Sequence, residues 1–185
     1  MKRFFWLFAP PLASTQLIAA CVIAYFTLSV AADAQIVALG ASDVAGWYGV
    51  WHNQTWPAQL EEMLKAKGYS VHVKNAGKPG DSTWGLSHRL DSAVPSGTKI
   101  VILATEGLYN NTQVSHLKAE EAMNTVVTKL KSRGITIIPA NAGVVLQHPG
   151  FRIDNVHLNA AGHKELAIRL LPPVIRALGS LSSSG

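Results

Sequence analysis

The segment Ile36-Val-Ala-Leu-Gly-Ala-Ser42 begins with four apolar residues, ends that run at a glycine and places a serine just beyond it. A short apolar run without polar alternation is typical of a strand buried on both faces of a sheet. Similar apolar runs alternate along the chain with segments of helical periodicity. The runs predict strands at 36–39, 69–73, 99–103 and 135–138. The periodic segments predict helices at 56–66, 82–90, 114–132 and 160–178, the last bent or interrupted at Pro172-Pro173. This alternation predicts right-handed crossovers and a mostly parallel sheet between two helical layers, a three-layer α/β/α sandwich.

The composition is that of one folded domain. The 185 residues are 48% apolar and 15% charged, which argues against a disordered chain. The net charge of +5 is scattered along the sequence without basic runs, so no nucleic-acid partner is expected. The seven histidines show no metal-ligand spacing, and the single Cys21 excludes an intramolecular disulfide.

Residues 1–34 have the features of an export signal. Lys2-Arg3 supply positive charge, an apolar stretch follows, and Ala32-Asp33-Ala34 matches the A-x-A cleavage pattern. The apolar stretch is longer than that of a usual signal, so an uncleaved membrane anchor is the alternative. Residues 35–185 are then the folded domain, which is expected to be periplasmic or secreted, or anchored to the membrane by the uncleaved leader.

Ser42, Asp154 and His157 are the candidate catalytic residues. Ser42 follows the first predicted strand, and Asp154-Asn-Val-His157 lies in a segment predicted to be irregular, 141–159, just before the last helix. Reactive groups of parallel sheets collect at the carboxyl ends of the strands. A carboxylate bonded to the far ring nitrogen holds an imidazole in the tautomer that a general base needs. Taken singly, Ser42 is equally a turn residue and Asp154 a helix cap, but their joint occurrence predicts nucleophilic catalysis.

The loops beside Ser42 supply two further features. Gly80 follows the second predicted strand and opens a helix. Its N–H is unobstructed because glycine has no side chain, and the helix dipole behind it favours a negative charge there. It is a candidate oxyanion donor, with an ordinary turn glycine as the alternative. The loop after Ser42 is crowded with aromatic residues, namely Trp47, Tyr48, Trp51 and Trp56. These either line a substrate pocket or cover the sheet edge and the first helix.

Three blocks carry a resemblance to a known family: Ile36-Val-Ala-Leu-Gly-Ala-Ser42, Asn75-Ala-Gly-Lys-Pro-Gly-Asp-Ser-Thr83 and Asp154-Asn-Val-His-Leu-Asn-Ala-Ala-Gly162. In content and order they resemble the SGNH/GDSL hydrolases, serine esterases and lipases that include bacterial arylesterases and lysophospholipases. The resemblance implies a flavodoxin-like sheet of about five strands and no metal or organic cofactor. It also implies that Ser42 is the nucleophile, His157 the general base and acid, and Asp154 its orienting carboxylate. Backbone N–H groups of Ser42 and Gly80 would bind the oxyanion.

The chain departs from the family pattern in two places. Gly40-Ala-Ser-Asp43 stands where Gly-Asp-Ser-Leu is usual, so Ala41 replaces a carboxylate that is outside the triad. Leu103-Ala-Thr-Glu-Gly-Leu108 stands where the family carries Gly-x-Asn-Asp, which puts Thr105 at the position of the oxyanion asparagine. Either the Thr105 hydroxyl donates instead, or Asn110 reaches in from the following loop, or the cleft is sluggish.

These observations predict an exported serine esterase that hydrolyses carboxylic esters, acyl or acetyl, through an acyl-enzyme intermediate. The substrate is expected to be a small-molecule, lipid or carbohydrate ester, and the fold does not choose among these. The alternative is a catalytically weakened binding module with the same fold. A nucleotide-binding flavodoxin-like protein is disfavoured, because no Gly-x-Gly-x-x-Gly or P-loop pattern follows a predicted strand.

Overall fold

The fold is built on one parallel sheet. A computed structural model describes residues 34–47 and 49–183, with side chains from residue 36 onward. Four strands in this range form a sheet in the order β2-β1-β3-β4, and every neighbouring pair is parallel. They are β1 (Ala34–Gly40), β2 (Val71–Gly77), β3 (Thr98–Leu103) and β4 (Thr136–Pro139). The predicted α/β class and the four strands read from the apolar runs are confirmed, whereas the described residues contain one strand fewer than the five that the resemblance implies.

Helices connect the strands and continue beyond the last one. Within the described range the α-helices are α1 (Ser42–Ala45), α2 (Trp56–Ala66), α3 (Thr83–Ala93), α4 (Glu106–Asn110), α5 (His116–Ser132), α6 (Ala142–Leu146) and α7 (Ala160–Ser182). Short 3₁₀ turns occupy His52–Gln54 and Pro149–Phe151. Residues 1–33 of the predicted leader lie outside the described part of the chain. Among residues 34–47 and 49–183, no helix has both the length and the apolar character that a membrane crossing requires.

Each face of the sheet has its own hydrophobic core. Successive strand residues point to opposite faces, so Ile36 packs in a core formed with α2 and α7, while Val37 packs in a core formed with α3 and α5. Each fully buried aliphatic side chain contributes about 1.5–3 kcal/mol. The predicted three-layer arrangement is confirmed, and the carboxyl ends of all four strands lie along the same edge of the sheet.

Two local predictions are corrected by the structure. The segment 141–159, predicted to be irregular, contains the short helix α6. Helix α7 runs without a break through Pro172 and Pro173, although each proline removes a backbone hydrogen bond. Leu170 and Val174 lie on either side of the prolines and are both buried in the same core. Packing of this continuous apolar stripe outweighs the lost hydrogen bonds.

His163 is a buried histidine that supports the start of α2. Its side chain lies in the first turn of α7 and the residue is 1% exposed. Its Nδ1 atom accepts a hydrogen bond of 3.2 Å from the backbone N–H of Trp56, the first residue of α2. Burial lowers the pKa of His163 from 6.5 to about 4. The neutral ring is therefore part of the folded structure.

We expect His163 to make the protein sensitive to acid. Its folded pKa is below its unfolded pKa, so its contribution to stability is complete above pH 6.5 and is lost as the pH falls towards 4. The loss approaches about 3 kcal/mol. A His163→Gln variant keeps an acceptor for the Trp56 N–H but does not titrate. In urea unfolding across this pH range, the unfolding free energy of wild type should fall relative to that of the variant as the pH decreases. A difference between the two unfolding free energies that does not change with pH would contradict the account. The exposed His116→Gln variant is the control.

Candidate active site

Ser42, His157 and Asp154 meet at the carboxyl edge of the sheet. The Ser42 Oγ atom lies 3.2 Å from His157 Nε2, and His157 Nδ1 lies 2.8 Å from Asp154 Oδ2. Ser42 is the first residue of α1 and is separated from β1 only by Ala41, whereas Asp154 and His157 come from the loop before α7. The structure thus brings together a hydroxyl and an imidazole that are 115 positions apart in the sequence.

Asp154 is an ionised carboxylate that orients both the ring and the loop. Its Oδ1 atom accepts the backbone N–H groups of Val156 and His157, each at 2.7 Å. The hydrogen bond from the His157 side chain, followed by these two backbone bonds, lowers the pKa of Asp154 to about 2. An ionised Asp154 places the ring proton on Nδ1 and leaves Nε2 free to accept from a hydroxyl. This is the arrangement that a general base needs.

The contacts of Asn159 and Gly162 explain why these two residue types follow His157 in the sequence. The Asn159 side chain accepts the Gly162 N–H at 2.9 Å and donates to the Gly150 carbonyl at 2.9 Å, so it caps α7 and ties the loop to the preceding turn. A Cβ atom on Gly162 would collide with the Phe151 carbonyl oxygen. Asparagine and glycine at these positions therefore hold the loop that carries His157.

The loop that carries the nucleophile is equally constrained. A Cβ atom on Gly40 would contact the Val44 side chain and come within 2.9 Å of the Ala104 carbonyl oxygen. The close approach of Val44 and Ala104 therefore leaves no room for a side chain at this position. Trp47 follows shortly after, and its ring stacks on His157 with centroids 6.3 Å apart and planes at 27°.

The crowded aromatic residues divide between the two expected roles. Trp56 is fully buried and its Nε1 atom donates to the Asp43 carbonyl at 3.0 Å, so it covers the sheet as part of the core. Trp47 is 40% exposed and lies beside His157, where it can contact a bound substrate. Trp51 is largely exposed, and Tyr48 lies outside the described residues.

The fold is similar to that of several solved structures. The esterase EstA from a Pseudoalteromonas species, solved with inhibition by monoethylphosphonate, has a TM-score of 0.65 and 17% identity over 80% of this chain and 100% of EstA. TesA has a TM-score of 0.66 and 18% identity over 77% of this chain and 99% of TesA. AlinE4, described as an SGNH-hydrolase family esterase, has a TM-score of 0.53 and 25% identity over 78% of this chain and 96% of AlinE4. No protein-family model and no curated protein sequence matches the chain.

These similarities and the three sequence blocks agree. The chain has the SGNH/GDSL-hydrolase fold. The resemblance predicted from the blocks is therefore confirmed at the level of the fold. The catalytic roles of individual residues stay predictions that rest on the geometry above.

The three predicted oxyanion donors lie just beyond the ends of three adjacent strands. Ser42 follows β1, Gly80 lies in the turn between β2 and α3, and Thr105 directly precedes α4 after β3. Gly80 has φ of 72°, a conformation that favours glycine, and a Cβ atom there would meet nothing within 4 Å. Their convergence on one oxyanion stays a prediction.

A groove next to the loop that carries Asp154 and His157 includes both candidates for the altered oxyanion block. Thr105 and Asn110 line a groove of about 540 Å³ together with Asn155 and Val156, which lie between Asp154 and His157 in sequence. Among the described contacts, neither the Thr105 hydroxyl nor the Asn110 amide has a hydrogen-bond partner in the protein, and Asn110 is the more exposed of the two. Both groups are therefore free to donate to a bound molecule.

Sequence reasoning missed Arg89, which joins two strand ends to the Gly80 turn. From α3 its guanidinium donates to the Gly40 carbonyl at 3.1 Å and to the Ala76 carbonyl at 3.0 Å. Its Nε atom pairs with Asp81, the residue after Gly80, at 2.6 Å. The Asp81 side chain is 3% exposed, so this ion pair is largely withdrawn from water. Only the folded topology brings these groups together, and an isolated arginine in a helix gives no signal of it.

The part of the chain that the structure describes contains no candidate set of metal ligands. In residues 34–47 and 49–183, no group of three or more histidine, cysteine, aspartate or glutamate side chains is arranged to hold a metal ion.

Proposed function

We propose that the protein is an exported serine esterase that hydrolyses carboxylic esters through an acyl-enzyme intermediate. The observation that carries the proposal is the continuous hydrogen-bonded path from Ser42 Oγ through His157 to Asp154, with distances of 3.2 and 2.8 Å. A hydroxyl becomes a useful nucleophile at neutral pH only when a base takes its proton as it attacks. The esterase descriptions of EstA and AlinE4 support the same reaction class.

The proposed reaction has two halves. In the first, Ser42 Oγ attacks the ester carbonyl carbon while His157 Nε2 takes the hydroxyl proton, and Asp154 stabilises the resulting imidazolium. The tetrahedral oxyanion is bound by the Ser42 and Gly80 N–H groups, and its collapse breaks the ester bond as His157 returns the proton to the leaving alcohol. In the second half, water adds to the acyl-serine by the same proton path, which releases the carboxylic acid and restores Ser42.

The leading alternative is a binding module with the same fold, and the altered block at Thr105 is the observation that favours it. The two functions differ in whether covalent turnover occurs. With p-nitrophenyl acetate in excess, an esterase that deacylates slowly releases a rapid burst of nitrophenol close to one equivalent, followed by steady turnover. Binding of a ligand in the groove with neither a burst nor steady hydrolysis above that of Ser42→Ala would favour the binding module.

We expect Thr105 to supply the oxyanion hydrogen bond that the family asparagine supplies. Replacing Thr105 by valine removes the hydroxyl at nearly constant shape and should lower kcat by about 10²–10³-fold, the usual cost of one lost oxyanion donor. KM should change little, because the donor acts mainly in the transition state. A Thr105→Ser variant should retain activity. If kcat falls in Asn110→Ala but not in Thr105→Val, Asn110 is the donor and this assignment is wrong.

The proposed class of substrate is inferred from the residues that line the groove. Its lining combines polar groups, Asn110, Asn155 and Arg152, with the apolar Leu146 and Val156. This mixture suits a small ester that has a polar part. Comparison of kcat/KM across acyl chain lengths and across polar and apolar alcohols would identify the preferred class.

Export is a separate part of the proposal. It is supported by the charged and apolar leader and by the Ala32-Asp33-Ala34 pattern. Cleavage after Ala34 would remove the first residue of β1 and leave Gln35 at the new N-terminus. Cell fractionation with N-terminal sequencing separates a cleaved periplasmic or secreted protein from one anchored to the membrane by the intact leader, and an intact chain in the cytoplasm would contradict export.

A further inference from the structure

Two carboxyl groups beside the nucleophile have unsatisfied oxygen atoms. Among the buried side-chain polar atoms of the described residues, two have no hydrogen-bond partner: Asp43 Oδ2 and Glu106 Oε2. Asp43 is 5% exposed and comes directly after Ser42. Glu106 comes directly after Thr105, at the start of α4. Buried polar groups without partners are costly and rare, so two of them flanking one site call for a physical explanation.

The remaining oxygen of each carboxyl bonds the backbone of a loop at the site. Asp43 Oδ1 accepts the Ala41 N–H at 3.1 Å, which stabilises the turn just before the nucleophile. Glu106 Oε1 accepts the Gly143 N–H at 3.3 Å, which connects α4 with α6. A Cβ atom on Gly107 would lie 3.0 Å from Asp43 Oδ1. The Asp43 carboxyl therefore packs directly against the first turn of α4, the turn to which Glu106 belongs.

The electrostatics of Asp43 involve Glu106 and no cation. Burial, the larger cause, and the nearby Glu106 charge together outweigh the backbone hydrogen bonds and raise the pKa of Asp43 from 3.8 to about 6. Other ionisable groups of the packed elements have different partners. Arg89 bonds Asp81 and backbone carbonyls, His163 bonds the Trp56 N–H, and His157 bonds Ser42 and Asp154. Two ionised carboxylates placed here would repel each other without compensation.

We propose that Asp43 and Glu106 share one proton, and that the resulting carboxyl–carboxylate hydrogen bond holds the nucleophile loop against the segment that carries Thr105. A protonated carboxyl is a donor and an ionised one an acceptor, so one proton satisfies both orphaned oxygens at once. The two side chains are positioning residues: they do not touch the reacting atoms, but they set the separation between Ser42 and the oxyanion donor. The catalytic part of this inference rests on the proposed esterase function, whereas the shared proton does not.

The two carboxyl groups lie next to the two departures from the family pattern, Ala41 and Thr105. The chain has an acidic residue, Asp43, after the nucleophile, and an acidic residue, Glu106, after the altered oxyanion position Thr105. Each carboxyl alone would keep one buried oxygen without a donor. Together they form a cross-link between the loops after β1 and β3.

The direct test is a carbon-13 NMR titration of the intact chain labelled at aspartate carboxyls. The sequence has five aspartates, and Asp43→Asn identifies the Asp43 signal by its disappearance. The Asp43 midpoint should lie near 6 rather than 3.8. In Glu106→Gln it should move down towards 3.8, because the neighbouring charge is gone and the amide donates to the ionised carboxylate. The exposed Asp91→Asn should leave the titration unchanged. An Asp43 midpoint near 3.8 in wild type, or one that does not respond to Glu106→Gln, would overturn the shared proton.

The positioning role is tested by kinetics of the same variants. Asp43→Asn retains a donor towards Glu106 at every pH, so its kcat relative to wild type should rise as the pH passes above 6, where wild-type Asp43 loses its proton. Asp43→Ala should lower kcat with KM little changed, and melting temperatures identify any loss of folding. Equal kcat for the asparagine, alanine and wild-type proteins at every pH would overturn the positioning role. Retention of hydrolysis by Ser42→Ala would instead overturn the esterase function and leave the titration result standing.

Discussion

Replacement of Ser42 by alanine should lower kcat for a short activated ester by about 10⁴–10⁶-fold, the range spanned when single residues of a serine-hydrolase triad are replaced. The reason is that Ser42 Oγ is the one hydroxyl that lies within 3.2 Å of His157 Nε2 in the described contacts. Without it the base has no nucleophile to activate other than water. Steady-state hydrolysis of p-nitrophenyl acetate by wild type and variant measures the effect.

The control for this substitution is another serine that lies away from the triad. Ser92 is exposed, and its hydroxyl donates only to the Arg89 carbonyl, so Ser92→Ala should retain the wild-type kcat. The melting temperature of Ser42→Ala should stay close to that of wild type, because the half-buried hydroxyl forms its hydrogen bond, among the described contacts, only with the His157 ring. Comparable turnover in wild type and Ser42→Ala would show that the measured hydrolysis does not pass through this serine.

The second large effect concerns stability rather than chemistry. Arg89→Met should destabilise the protein by about 3–5 kcal/mol, because removing one partner of a buried ion pair leaves the other charge uncompensated. Asp81 would be that charge, since its side chain is 3% exposed and pairs with Arg89 Nε at 2.6 Å. The carbonyls of Gly40 and Ala76 would also lose their donor. Urea unfolding of the variant and wild type measures the loss.

A double variant separates the charge effect from the loss of packing. Arg89→Met with Asp81→Asn removes both charges, so it should be more stable than the sum of the two single changes predicts. Arg133→Met is the matched control, because Arg133 also donates to two backbone carbonyls, those of Val94 and Pro95, but forms no ion pair among the described residues. Strict additivity of the two single changes would mean that the Arg89–Asp81 pair is not an energetic unit.

Local patterns in the sequence predicted the sheet and the triad for identifiable reasons. The run from Ile36 to Leu39 is buried on both faces, so its apolar character alone indicates a strand. Asp154 and His157 are three positions apart, and the carboxylate binds the backbone between them, so their geometry is local. Ser42 could be added because parallel strands end at a common edge.

The remaining features of the site depend on contacts that no local pattern contains. Arg89 is 49 positions from the Gly40 carbonyl to which it donates. Asp43 and Glu106 come from different short helices, α1 and α4, and their significance lies in two unsatisfied oxygens that appear only when burial is known. The unbroken course of α7 through Pro172 and Pro173 likewise depends on packing, which outweighs the local preference of proline.

The central claim is that Ser42 is a nucleophile activated by His157, and covalent labelling tests it most directly. The intact protein should be incubated with an activated organophosphonate ester, and the modified residue mapped by mass spectrometry of its peptides. The account predicts one phosphonyl group per chain, attached to Ser42, and no such adduct in Ser42→Ala. Labelling at any other residue, or an unlabelled Ser42 in a protein that still hydrolyses esters, would contradict it.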